Sequence, residues 1–163
     1  MNRIIRYLHY YLLGSFFVLI RKPVRVHGNL ILYPEGTDKI LIGSSLFGKY
    51  EIFEKRLIEK FLEPNSKVLE LGGNIGGISN YINKKLSVKE NHIVMEPNPK
   101  IIPLLKKNRN LNNSKFKIVN GIISKDKNVI FYLSKNTLSS STKVISNNKL
   151  SPKSYSITEI EDM

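Results

Sequence analysis

Hydrophobic positions fall into three regimes along the chain, and each predicts a different kind of element. Residues 7–20, YLHYYLLGSFFVLI, form a nearly unbroken apolar and aromatic run, with Arg3 and Arg6 before it and Arg21, Lys22 and Arg25 after it. The run is short for a bilayer span, which needs about 20 apolar residues. It resembles the charged and apolar regions of a signal peptide, but the following RKPVRVHG offers no small-residue cleavage site. Residues 1–22 therefore read as a helix set apart from a domain over residues 23–163. Packing on that domain and lying in a membrane interface stay open for it, with cleaved secretion behind both. The chain is accordingly placed in the cytoplasm, with peripheral membrane contact as the alternative.

From residue 24 the pattern becomes strand-like. Residues 30–33 and 39–42 are short β-rich runs separated by Pro34-Glu35-Gly36-Thr37-Asp38, which predicts a hairpin. Residues 50–62 carry Ile52, Phe53, Leu57, Ile58, Phe61 and Leu62 at helical spacing, and Pro64-Asn65 ends that helix. Tyr50 and Glu51 stand at its start, where a helix-start role is expected of both ahead of the alternative, lining the edge of a ligand site.

The third regime alternates strand and helix. Strands are expected at residues 67–71, 92–95 and 116–123. A helix over 76–86 would turn Ile78, Tyr81, Ile82 and Leu86 inward, and another would run over 99–111. For the second, Asn98 suits the N-cap and Pro99 the first position, while Pro103 would disturb it near its start. Such alternation predicts an α/β fold with a doubly wound, mostly parallel sheet. After a turn at 126–128 comes a strand at 129–133. A Ser/Thr/Asn-rich loop over 134–148 then holds a candidate short strand at 143–145. Nothing after Ser154 is long enough for another strand-helix unit.

Composition changes this picture little. The formal net charge of +13 invites a nucleic-acid reading. The excess is mostly Lys, in a chain rich in Asn and Ile and lacking Ala and Gln, the residue usage of an AT-rich coding sequence. The charge is also spread along the chain rather than gathered with aromatics into a patch, so nucleic acid ranks low as a partner. Anionic lipid or glycolipid suits the charge at least as well. With no Cys and three scattered His, neither a disulfide framework nor a metal site is expected.

The candidate chemistry lies in V-L-E-L-G-G-N-I-G-G, Val68 to Gly77. A buried strand enters a Gly-rich turn and then a helix, with Glu70 two residues before Gly72. Such a turn lets backbone approach a ligand at the carboxyl end of a strand, where open α/β sheets bind. The dinucleotide fingerprint fails, because counting from Gly72 its second Gly would be Asn74. A P-loop fails too, because Gly77 is followed by Ile78-Ser79. Glu96, in M-E-P-N-P, ends the next strand, where an acid can accept hydrogen bonds from two ribose hydroxyls.

These stretches, with G-I-I-S-K-D-K-N-V-I-F-Y-L from Gly121 to Leu133, resemble the FkbM family of S-adenosylmethionine-dependent methyltransferases. Glu70 stands for the family's usual Asp, Gly73 for its Ala, and Gly121-Ile122 for Ala-Leu. F-G-K-Y-E before the first domain helix is similar as well, and the likeness covers residues 30–163. It implies a class I, Rossmann-like methyltransferase fold and O-methylation of a small hydroxylated acceptor such as a sugar, glycolipid or polyketide. By the same resemblance Glu70, Gly72, Gly73, Asn74 and Gly76 would face the methionine and ribose of S-adenosylmethionine. Glu96 and Pro97 would hold the ribose, and Ile122 would lie near the adenine.

Residues 156–162 look like the segment before the family's fourth strand, whose K-x-D-x-E-G motif the chain lacks. The fold is thus expected to be incomplete on its C-terminal side, with an open parallel edge that an oligomer or other partner would cover. Any general base would be expected on that missing side, so no catalytic residue is named. The alternatives are a cofactor-binding module without catalysis, with or without membrane association, and a nucleic-acid methyltransferase. The second lacks the N/D-P-P-Y/F motif and ranks lowest.

Overall fold

The computed structural model describes residues 3–133, 140–141 and 149–162. Helix α1 (Arg3–Ile20) buries Tyr10 and Gly14. They meet α2 (Lys39–Leu46), where a Cβ added at Gly14 would collide with the Lys39 carbonyl and one at Gly43 with the Tyr10 carbonyl. Two glycines thus let two helix backbones touch. The N-terminal helix packs on its own domain along this face.

Between α1 and α2 lies the hairpin of β1 (Val24–Val26) and β2 (Asn29–Ile31), antiparallel with Val24 opposite Ile31. His27 and Gly28 form its turn, both at positive φ (48° and 83°), as a two-residue hairpin turn requires. The expected pairing of 30–33 with 39–42 is therefore corrected: residues 39–42 begin a helix. Asp38 Oδ1 accepts from the amides of Ile40 (2.7 Å) and Leu41 (3.0 Å) and caps that helix. Ile42 then joins Val24, Val26, Ile31, Ile75 and Ile101 in one buried cluster.

Helix α3 (Ile52–Phe61) forms where expected, but Phe53, Leu57 and Phe61 are exposed and none of its residues is buried. The alternating region gives β3 (Val68–Leu71), α4 (Gly77–Lys85), β4 (His92–Met95), α5 (Ile102–Leu111) and β5 (Lys117–Val119). Its strands form a parallel sheet in the order β3-β4-β5. The protein is thus mixed α/β with a parallel three-stranded sheet. Of the residues expected to face inward from α4, Tyr81, Ile82 and Leu86 are buried, and Ile78 is half-buried.

Helix α5 starts later than expected. Asn98 does not cap it but accepts from the Lys100 amide (3.1 Å) in a preceding turn. Pro103 therefore falls in the first turn, where no amide is needed, and disturbs nothing. The strand expected over 116–123 is broken at Asn120-Gly121, giving β5 and a separate β6 (Ile122–Ile123).

Then follow β7 (Phe131–Leu133), β8 (Ser140–Ser141), β9 (Lys149–Leu150), β10 (Ser154–Tyr155) and α6 (Ile157–Glu161). Strand β7 pairs antiparallel with β8 and β9, while β10 pairs parallel with β6. The candidate strand at 143–145 lies outside the described residues.

Glu70 and Val94 share one sheet face, turned toward α4 and α5, where Val94, Leu105 and Phe116 are buried together. Met95 and Val119 face the other way and pack with Ile160 of α6. On this second face Leu69 and Leu71 stay exposed. Among the described residues nothing pairs with the outer edge of β3.

Asn108 on α5 and Asn112, one turn on at its C-cap, fasten the hairpin to the sheet layer. Asn112 exchanges two 2.8 Å hydrogen bonds with the Leu30 backbone. Asn108 does the same with Leu32 (2.9 and 3.0 Å) and also donates to the Ile75 carbonyl at 2.8 Å. These side-chain amides take the place of a neighbouring strand. Asn108→Ala leaves three backbone groups without partners and should cost about 2 kcal/mol in urea unfolding.

Candidate cofactor site

The Gly-rich turn is tied to the strand beside it. The amides of Gly72 and Gly73 both donate to the Met95 carbonyl (2.8 and 3.0 Å), and the Gly76 amide donates to the Gly73 carbonyl (2.8 Å). The glycines divide the work. Gly72 has φ +88° and a Cβ there would meet nothing within 4 Å, so its outer side is open. Gly73 and Gly76 face inward, where a Cβ would collide with Val94 at the first and stand 2.8 Å from Leu105 at the second. Both let the turn seat on the sheet and α5.

Glu70 sits beneath the turn. Its Oε1 accepts from Ser79 Oγ (2.9 Å), and its Oε2 lies 3.1 Å from Nε2 of the fully buried His92. Both oxygens are thus engaged between strand and helix rather than facing open space.

Glu96 is the junction. Its Oε2 accepts from the Asn74 amide (2.8 Å) and its Oε1 from the Asn98 amide (2.7 Å). One carboxylate thereby joins the Gly turn to the E-P-N-P segment. Burial raises its pKa above the ordinary carboxylate value, and the charge of Glu70 adds to this, against the lowering by the Asn98 and Asn74 amides. Each oxygen still has lone-pair capacity for a hydroxyl donor.

The third motif closes on the same point. The Gly121 amide donates to the Glu96 carbonyl (3.2 Å), and Asn120 Nδ2 donates to the carbonyls of Glu96 (2.7 Å) and Pro97 (3.2 Å). Pro97 is buried there, and Ile122, half-buried, donates its amide to the Lys153 carbonyl (3.0 Å). The structure brings Gly72, Asn74, Glu96, Pro97 and Ile122 around the carboxyl ends of β3, β4 and β5. Glu70, Gly73 and Gly76 lie on the inner side.

Two residues here escape sequence reasoning. Asn120 carried a signal in the turn-forming Asn-Gly pair, whereas Asn108 carried none. Glu51 does stand at the start of α3, with left-handed backbone (φ 52°), but its side chain caps nothing there. It turns toward the start of α4 instead, 2.7 Å from where a Gly77 Cβ would stand. Its Oε2 is buried without a hydrogen-bond partner. Burial pushes its pKa up to about 7, with Glu54 and Glu70 adding to the rise against the Tyr50 hydroxyl. Desolvation holds the hydroxyl of half-buried Tyr50 well above its ordinary value, and the neighbouring Glu51 carboxylate adds to the rise.

Compared with known proteins, the chain matches no protein-family model and no curated protein sequence.

Proposed function

We propose that the chain forms the cofactor-binding part of an S-adenosylmethionine-dependent methyltransferase, of FkbM type by the resemblance of its motifs. Its acceptor would be the hydroxyl of a small molecule such as a sugar, glycolipid or polyketide. A class I, Rossmann-like architecture is the finer reading of the fold that goes with this. The observation that carries it is the bridge made by Glu96 between the two motifs, with the outer side of Gly72 open beside it.

The fit to such a cofactor is one of shape and donor set. Gly72 leaves backbone reachable, Glu96 offers acceptor capacity to paired hydroxyls, and Ile122 offers apolar surface to a base. Bound S-adenosylmethionine would supply an electrophilic methyl group on sulfur. The residues named here bind and orient it, which is the main demand of an in-line displacement. The acceptor proton needs a base, and none is assigned.

Calorimetric titration of the chain with S-adenosylmethionine tests the reading. Saturable binding is expected. Gly72→Ala, whose methyl enters open space but which carries the strain of φ +88°, should weaken it by about tenfold or more in a chain that urea unfolding shows to be folded, since a methyl at a close backbone approach displaces the ligand. Glu96→Ala should abolish it. A folded chain that binds nothing would overturn the proposal. Binding without methyl transfer to hydroxylated acceptors would favour a cofactor-binding module instead, a reading that the exposed Leu69, Leu71 and β3 edge speak for.

A further inference from the structure

Helix α1 has two faces, and the fold uses one of them. Tyr10 and Gly14 pack against α2, with Leu13 and Phe17 half-buried beside them. The opposite stripe carries Ile4, Leu8, Leu12, Phe16 and Leu19, which are 75, 56, 57, 55 and 81% exposed. Their spacing of four, four, four and three keeps them on one side of a helix. Tyr7 and Tyr11, also exposed, border that stripe. A continuous apolar face of this kind on a packed helix marks an interaction surface.

Charge indicates what covers it. Before Glu35 the chain holds Arg3, Arg6, Arg21, Lys22 and Arg25 and no acidic residue at all. Of these, Arg21 pairs with Glu35 at 2.8 Å on the surface. More positive charge lies alongside. Lys39 stands 5.0 Å from the centre of the Tyr11 ring. Arg6 and Lys49 share the lining of a cavity of about 420 Å³ between the N-terminal half of α1 and α2. An apolar stripe bordered by Tyr7 and Tyr11, in a segment whose charged residues before Glu35 are all cations, suits the boundary between acyl chains and anionic headgroups. No helix among the described residues is long and apolar enough to cross a membrane. Docked sideways on α2, α1 would meet a bilayer flat.

We propose that α1 holds the protein on an anionic lipid surface, with Ile4, Leu8, Leu12, Phe16 and Leu19 in the acyl boundary and the flanking Arg and Lys at the headgroups. This assignment is independent of the cofactor proposal. It is tested by co-sedimentation of the full chain with vesicles of phosphatidylcholine alone and of phosphatidylcholine with an equal part of phosphatidylglycerol.

Binding to the anionic vesicles should exceed binding to the neutral ones by about tenfold or more and fall with salt. Leu8→Gln with Leu12→Gln should lower it by about tenfold or more without shifting thermal unfolding, because both positions are exposed. Leu19→Gln, at the most exposed position of the stripe, is the second variant should that pair misfold, and it should weaken binding in the same direction. Absence of binding to anionic vesicles at low salt would overturn the proposal, as would variants that bind like the parent. A dimer that the same variants dissociate, with no affinity for vesicles, would assign the face to a second copy of the chain and overturn it too.

Discussion

Gly43→Val is expected to lower the stability of the fold by about 4 kcal/mol, above the usual range for overpacking because the obstacle is backbone. The Cβ would enter the space of the Tyr10 carbonyl, a group fixed within α1. Side chains can swing aside, but a helix carbonyl cannot move without carrying its helix. The contact is reciprocal, since Gly14 meets the Lys39 carbonyl in the same way. Separating the helices would uncover Tyr10 and Gly14 together.

Urea unfolding gives the size of the loss. Trypsin cleavage after Arg21 under native conditions reports whether α1 has left α2. Gly36→Asn is the control, because Asn tolerates positive φ and a Cβ at Gly36 would meet nothing within 4 Å. A loss below about 1 kcal/mol for Gly43→Val would mean that the two backbones are not in contact.

How much of this was legible in the sequence depended on how local each cause was. The strands β3 and β4, the helix between them and the turn at Gly72 follow from a short apolar run entering glycines, and they lie where expected. Glu96 was legible for the same reason, as an acid closing a strand before proline. Residues 39–42 are ambiguous in sequence because a short apolar run suits strand and helix alike, and Asp38 decides the matter as a cap. The true hairpin went unseen because its turn uses His27, a residue that seldom advertises positive φ.

Long-range pairing was beyond reach in principle. Asn108 on α5 looks like any polar helix residue, and its meaning lies in Leu32, 76 positions away. Strand β6 is not separable from β5 in the sequence because its partner β10 sits some thirty residues later, and no local pattern announces that pairing. Among the site residues, the family resemblance implies a ligand-facing Glu70. The fold engages its carboxylate with Ser79 and His92, contacts that depend on which way one strand faces and that no local pattern announces.

Glu51 carries the second large effect, and its sign follows from burial. Its pKa rises from an ordinary 4.5 to about 7 in the folded chain, so folding takes up a proton between these values. Stability from this group is intact below about pH 4.5, declines as the pH rises through that window, and is lost above pH 7. Gln resembles the protonated form and escapes the penalty. Glu51→Gln should therefore match the parent near pH 4.5 and exceed it at pH 8 by on the order of 3 kcal/mol, read as the difference between two urea curves at each pH. Equal stability of the two proteins at pH 8 would show that the carboxylate is solvated when ionised.

A gain of that size would mean that a left-handed residue with a costly carboxylate is kept against the start of α4 at the expense of stability, a pattern that marks functional sites. Calorimetry on the same variant then decides whether that site is the one at Gly72. Weaker binding of S-adenosylmethionine by the more stable Glu51→Gln protein would place the carboxylate in the cofactor site, and unchanged binding would remove it from there.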